Sequence, residues 1–248
     1  MSRLLTPLAG LACLLFGPGC DNPVSTQDTQ PARRVVSTGP AGTGVIRGVV
    51  TFAGTPPEGE DVEGARCHGG ATTIHVAPLV VGKGGRLKDV MVYVKDPAAV
   101  PAGGPATPAV LDQVNCQYVP HVLGVRVGQV LRVRTSDPTM HNVHVLSEIN
   151  PAANFGLTAP GQSRDLTFDR VEQFAVRCDV HPWMTAHVYV LDHPFFAVSG
   201  DDGRFEINGL PPGEHDLVFS HPFLGDRRRR VNVGEGAATA DVTFEREK

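Results

Sequence analysis

The sequence predicts an all-β protein built from two β-sandwiches, and three observations carry that reading. Glycine (28) and proline (21) are plentiful in the 248 residues, and Val and Thr dominate the apolar segments, a composition of short strands joined by tight turns. Beyond residue 43 no stretch shows the periodicity of an amphipathic helix. Short apolar runs instead recur at close spacing, separated by turn residues, as in a sandwich or barrel.

The N-terminus reads as an export signal over 1–19. Arg3 precedes an apolar run from Leu4 to Phe16, too short to span a bilayer but suited to the core of a signal peptide. Cys20 follows directly after Gly17, Pro18 and Gly19, resembling a bacterial lipoprotein cleavage site with Cys20 as the lipidated residue. The alternative is plain secretion, with Cys20 lost in the removed peptide. Either way the chain is expected to be exported, to the periplasm or cell envelope, where disulfides persist. Residues 20–42 are polar and rich in Pro, Ser and Thr, and are expected to form a flexible tether.

Residues 43–105 open a sandwich. "GVIRGVVTFAG" (44–54) alternates as a strand, and "LKDVMVYVKD" (87–96) sets Val90, Val92 and Val94 on one face of a half-buried strand. "VPAGGPATPAV" (100–110) reads as a linker. Over 106–192 follow "QVNCQYVPHVLGVRVGQVLRVRTSDP", "HNVHVLS", "RDLTFDR", "EQFAVRC" and "TAHVYVLD", a second set of strands. Over 193–248, "FAVSGDDGRFEINGLPPGEHDLVFSHP" reads as three strands with Asp-Gly and Pro-Gly turns, and 227–245 as a final hairpin.

"RCDVHPWM" (177–184) spaces Cys178, His181 and Met184 at intervals of three, where a strand gives way to a loop. Thiolate and thioether favour Cu(I), imidazole tolerates Cu(II), and His₂Cys with a weak axial Met is the electron-transfer copper set. A second histidine is needed. "DPTMHNVHV" offers His141 and His144, which point to opposite faces of a strand; His141 lies at the strand's start, beside Asp137 and Pro138.

"HVLGVRVGQVLRVRTSDPTMHNVHV" and "LTFDRVEQFAVRCDVHPWMTAHVYVLD" together resemble the cupredoxin family, most of all its amicyanin-like members, through the glycine turn, the His-Asn pair and the short Cys-x-x-His-x-x-Met loop. The resemblance implies a Greek-key sandwich holding one type 1 copper ion through His141, Cys178, His181 and Met184, with Asn142 bonding across to the ligand loop. Asp179 and Val180 stand where cupredoxins often carry Ser or Thr and then Pro, and Met140 stands where amicyanin-like proteins carry Pro. A carboxylate at Asp179, beside the thiolate, favours Cu(II). The flanking segments, "VIRGVV", "LKDVMVYVK" and "GRFEINGLPPGEHDLVF", resemble the carboxypeptidase regulatory-like (transthyretin-type) sandwich. They suggest one such sandwich interrupted by the copper domain, the competing arrangement being a separate C-terminal domain.

Cys67 and Cys116 are expected to pair as a disulfide in an exported chain; a second metal site with His68 and His121, or free thiols, are the other readings. "DRRRR" (226–230) reads as a solvated edge strand or as a docking patch for acidic partners or lipid headgroups. A net charge of −4 gives no sign of nucleic-acid binding. No Gly-x-Ser-x-Gly, His-Glu-x-x-His or phosphate-cradling loop is present, and Asp201 and Asp202 read as turn formers. The function expected is therefore not enzymatic. It is one-electron transfer by a monomer to a redox protein partner, with Pro182 and Trp183 as the apolar port. Copper storage or delivery and a non-redox adhesion module are the alternatives.

Overall fold

A computed structural model describes residues 37–39, 42–63, 73–104, 107–234 and 236–246. Among these residues every regular element is a β-strand. Two sandwiches result, each with its own core.

The first sandwich packs two sheets. One has the order Gln117–Val119, Ala109–Val114, Val130–Thr135, Ser163–Thr167. The other runs Val122–Arg126, Thr185–Leu191, Glu172–Arg177, His141–Val145, Ala153–Leu157. Alternation places Leu131 and Val133 of one sheet, and Val143, Val145, Val176 and Val188 of the other, in a single buried cluster. The strand Ala153–Leu157 has no strong apolar alternation, and sequence reasoning missed it. It forms because it pairs antiparallel with His141–Val145 along its whole length.

The second sandwich draws strands from both sides of the first. Met91–Val94 lies between Phe196–Val198 and Gly213–His221, and Gly44–Ala53 pairs antiparallel with Arg204–Leu210. Ile46, Val50 and Phe52 from the inward face of Gly44–Ala53 meet Phe205, Ile207, Leu217 and Phe219 in the second core. The turn into Arg204–Leu210 ends at Gly203, whose φ of +69° suits a residue without Cβ; a Cβ there would also lie 2.4 Å from the Val50 carbonyl oxygen.

Several expectations are corrected here. The final hairpin over 227–245 does not form: Gly225–Val233 pairs with Gly213–His221, while Ala237–Thr239 and Val242–Glu245 add in parallel to Gly44–Ala53. Ala240 and Phe244 are fully buried, so core contacts outweigh the local turn. Ser37–Gly39, inside the stretch read as tether, pairs in parallel with Ala99–Pro101, which overlaps the start of the stretch read as linker. Backbone pairing of three residues needs no apolar pattern, which is why neither was visible. The hairpin Glu60–Glu63/Thr73–Val76 falls within the N-terminal strands assigned to the flanking sandwich, yet its Ile74 is buried in the core of the first sandwich.

Met91–Val94 is not half-buried but covered on both faces. Val92 and Val94 enter the second core, and Met91 enters a small cluster with Val122, Tyr189 and Leu191. That cluster is the seam between the sandwiches. Across it the Tyr189 hydroxyl donates to Ser220 Oγ at 3.0 Å and accepts from Gln173 Nε2 at 2.9 Å. Gly124 lets the seam close, since a Cβ there would lie 2.4 Å from the Phe196 ring. The arginine run sits on the outer strand of its sheet, with Arg230 held bidentate by Asp216 at 2.7 and 3.0 Å.

Candidate metal centre

At one end of the first sandwich the strand His141–Val145 begins and the strand Glu172–Arg177 ends, so His141 and Cys178 meet from neighbouring strands. Cys178 leads into a tight turn. Its amide donates to the Met184 carbonyl at 3.1 Å, and the Met184 amide donates to the His181 carbonyl at 2.9 Å. This turn brings His181 back over the cysteine. Nδ1 of His141 lies 3.1 Å from Nδ1 of His181, which lies 3.6 Å from Cys178 Sγ. His141, Cys178, His181 and Met184 are all buried, with Met184 and Cys178 packed in the same apolar cluster.

The protons at this centre have assignable places. Nε2 of His141 lies 2.8 Å from Oδ2 of Asp137, which anchors that side of the ring as the donor and leaves Nδ1 as the nitrogen facing the other ligand side chains. Burial pushes the Cys178 thiol up, but hydrogen bonds from the His141 ring and from the amides of Asn142, His181 and Val180 outweigh it and hold the thiol below its ordinary range. Burial likewise pushes the His141 imidazole down, and its bonds to Cys178 and Asp137 bring it above its usual value. Two imidazole nitrogens and an acidified thiol converging in a buried space fit a soft or borderline metal cation.

Around the donors lies a shell that sequence reasoning only partly found. Asn142 accepts the Asp179 amide on Oδ1 at 3.1 Å and gives its own amide to Cys178 Sγ at 3.3 Å, joining the histidine strand to the ligand loop. Asp179 is bonded by His144 Nδ1 at 2.9 Å and by Asn154 Nδ2 at 3.1 Å, and those contacts lower its carboxyl below the usual range. His144 thus points away from the donors, toward the surface.

Three further residues were not read as part of the site. The Tyr118 hydroxyl donates to the carbonyl of Asn142 at 2.6 Å and reaches that of Arg177 at 3.3 Å, tying together the residues beside two donors. Gln113 Nε2 bonds the same hydroxyl at 3.2 Å. Asp137 also accepts the amides of Asn115 at 2.7 Å and Cys116 at 2.8 Å. Only Asp137 left a signal: it stands four residues before His141 in "DPTMH".

Cys178 is a free cysteine and Cys116 is disulfide-bonded. Cys116 Sγ also lies close to the imidazoles, in a group of donor atoms with His141 and His181 all within 4.8 Å of one another. A sulfur locked in a disulfide carries no thiolate charge, so Cys178 is the better ligand. Cys67 and His68 lie outside the described residues, as does Cys20. His121 gives Nδ1 to the Thr185 carbonyl at 2.8 Å and meets the His187 ring edge-on at 5.4 Å. Pro182 is exposed, as are Met140 (48%) and Val180 (46%) beside the histidines. Trp183 is turned partly inward, its indole N–H on the Cys116 carbonyl at 3.0 Å.

No protein-family model matches the chain, and a search of curated proteins returns no match. Among solved structures it is similar to a variant of amicyanin in its Cu(I) state (23% identity, 37% of this chain and 96% of that one, TM-score 0.31). It is also similar to a purple cupredoxin from Nitrosopumilus maritimus (19%, 33% and 98%, 0.29). A third similarity is to the copper-containing nitrite reductase of Thermus scotoductus (22%, 38% and 25%, 0.30). Each covers about a third of this chain.

Proposed function

We propose that this chain is an exported type 1 copper protein that carries one electron at a time and is not itself an enzyme. The observation that supports this most is the convergence of His141 Nδ1, His181 Nδ1 and the acidified Cys178 thiol within a buried turn. His141, Cys178 and His181 would hold the ion, with the buried Met184 as the weak fourth ligand. When bound, copper supplies a one-electron Cu(I)/Cu(II) couple.

The rest belongs to the chain. Asp137 fixes the His141 tautomer, Asn142 locks the ligand loop to the histidine strand, and burial keeps substrate and water from the donors. Met140, Val180 and Pro182, exposed beside the two histidines, form an apolar port for brief docking of a redox protein partner. The second sandwich, which we read as carboxypeptidase regulatory-like, serves as a rigid mount. Cys20 as a lipid anchor and 21–42 as a tether of roughly 25 Å r.m.s. span would hold a monomeric carrier at the envelope membrane. Cell fractionation with N-terminal sequencing tests that attachment; a soluble mature protein starting elsewhere than Cys20 removes it.

The deciding experiment is an absorption spectrum of the Cu(II)-loaded protein. An intense thiolate-to-copper charge-transfer band in the visible range is expected, and Cys178→Ser should abolish it while leaving the far-UV spectrum intact. A colourless loaded protein ends the carrier reading.

A further inference from the structure

The centre leaves one sulfur unused. Cys116 Sγ, His141 and His181 form a donor group within 4.8 Å, while Cys178 Sγ lies 3.6 Å from His181 Nδ1. The two imidazoles are thus served by two sulfurs, one free and one in a disulfide. The placement of Cys116 does not depend on its sulfur. Asn115 and Cys116 take φ of +55° and +54° in the two-residue turn between Ala109–Val114 and Gln117–Val119. Both of their amides are held by Asp137, and the Cys116 carbonyl holds the Trp183 indole. The side chain is fully buried.

We propose that the disulfide masks a second sulfur ligand, and that its reduction converts a single-thiolate electron-transfer centre into one that retains Cu(I). The inference rests on the copper reading above. A disulfide sulfur is neutral and a poor ligand, whereas a thiolate is the soft donor that favours Cu(I). A dithiol reductant supplies both electrons and both protons. Its thiolate attacks the S–S bond to give a mixed disulfide, its second thiol closes it to its own disulfide, and Cys116 and its partner leave as thiols. With its thiol free, Cys116 would be a further residue able to hold Cu(I), losing its proton on doing so. The copper stays Cu(I) throughout.

The test is the Cu(I) affinity of the full chain, measured anaerobically against a colorimetric Cu(I) chelator, before and after phosphine reduction and desalting. Reduction should tighten Cu(I) binding by about tenfold or more. Cys116→Ser should show no such gain, and Cys178→Ser, weak when oxidised, should recover Cu(I) binding when reduced. The near-UV signal of Trp183, which reports its bond to Cys116, should survive reduction. Equal affinities before and after reduction, or a lost Trp183 signal, would overturn the proposal. A colourless oxidised protein loaded with Cu(II) would instead sink the copper reading itself, which a coloured protein with unaltered Cu(I) affinity leaves standing.

Discussion

The carboxylate of Asp137 lies 2.8 Å from Nε2 of His141, and both groups are buried. One carboxylate therefore sets the tautomer of a metal-facing imidazole and, through the amides of Asn115 and Cys116, the turn beside it. Such outer partners raise ligand basicity and fix ring orientation.

Asp137→Asn should therefore weaken Cu(II) binding by about 10- to 100-fold and raise the reduction potential, since a negative charge that favours Cu(II) is lost. Chelator competition and protein-film voltammetry measure the two effects. Wild-type values for both would show that the His141–Asp137 contact does not act on the metal.

The two histidines of "HNVH" should behave oppositely. His141→Ala removes a donor and should abolish the visible band. His144→Ala removes only the exposed contact to Asp179 at 2.9 Å and should keep it. Loss of colour in the second variant, with colour kept in the first, would place the ion on the other face of the strand.

How much of this was legible follows from which interactions are local. The donor loop was readable because Cys178, His181 and Met184 share one turn, and His141 because period-two alternation separates it from His144. The strands Gly44–Ala53 and Arg204–Leu210 announced themselves by alternation and turn residues. Tyr118 and Gln113 gave no signal, because their partners are carbonyls of Asn142 and Arg177, which any residue possesses. The parallel strands near the C-terminus escaped notice because their pairing with Gly44–Ala53 spans nearly the whole chain. Met91 looked like a solvent-side residue because nothing local foretells a seam.

The loop 147–150 should be acid-sensitive. The Glu172 carboxylate accepts from Ser147 Oγ, Asn150 Nδ2 and the amides of Glu148, Ile149 and Asn150. Burial pushes its carboxyl up, but these bonds bring it down to about 2 from an ordinary 4.5. A carboxylate lowered in the folded state stabilises fully above 4.5, and that contribution is lost as pH falls toward 2. The loss should be about 2 kcal/mol once solvent screening is allowed for. Glu172→Gln should flatten the stability profile in that window; an unaltered acid limb in denaturant titrations would refute the assignment.

The seam should loosen at milder acidity. Burial, then the charges of His121 and Arg177, bring His187 down to about 4, and burial with the neighbouring His121 and His187 does the same to His221. Both are therefore neutral in the folded chain, while the unfolded chain protonates them near their ordinary 6.5. Their stabilisation is complete above 6.5 and is lost progressively as pH falls from there to about 4, on the order of 3 kcal/mol for each histidine. His187 shares its strand face with Tyr189 and Leu191 of the seam, so its penalty falls on the contact between the sandwiches, whereas His221 turns to the face opposite Ser220, beside Phe244 of the second core. Gly124→Ala stresses the same contact sterically, since its Cβ would meet the Phe196 ring at 2.4 Å; a cost of about 1–3 kcal/mol is expected. Amide hydrogen exchange between pH 7 and pH 5 separates seam from cores. Faster exchange in Val122–Arg126 and Met91–Val94 than in the core strand Val130–Thr135 is expected on acidification, and more so in Gly124→Ala. Uniform change across all three strands would mean that the two sandwiches unfold as one unit and that the seam is not the weak plane.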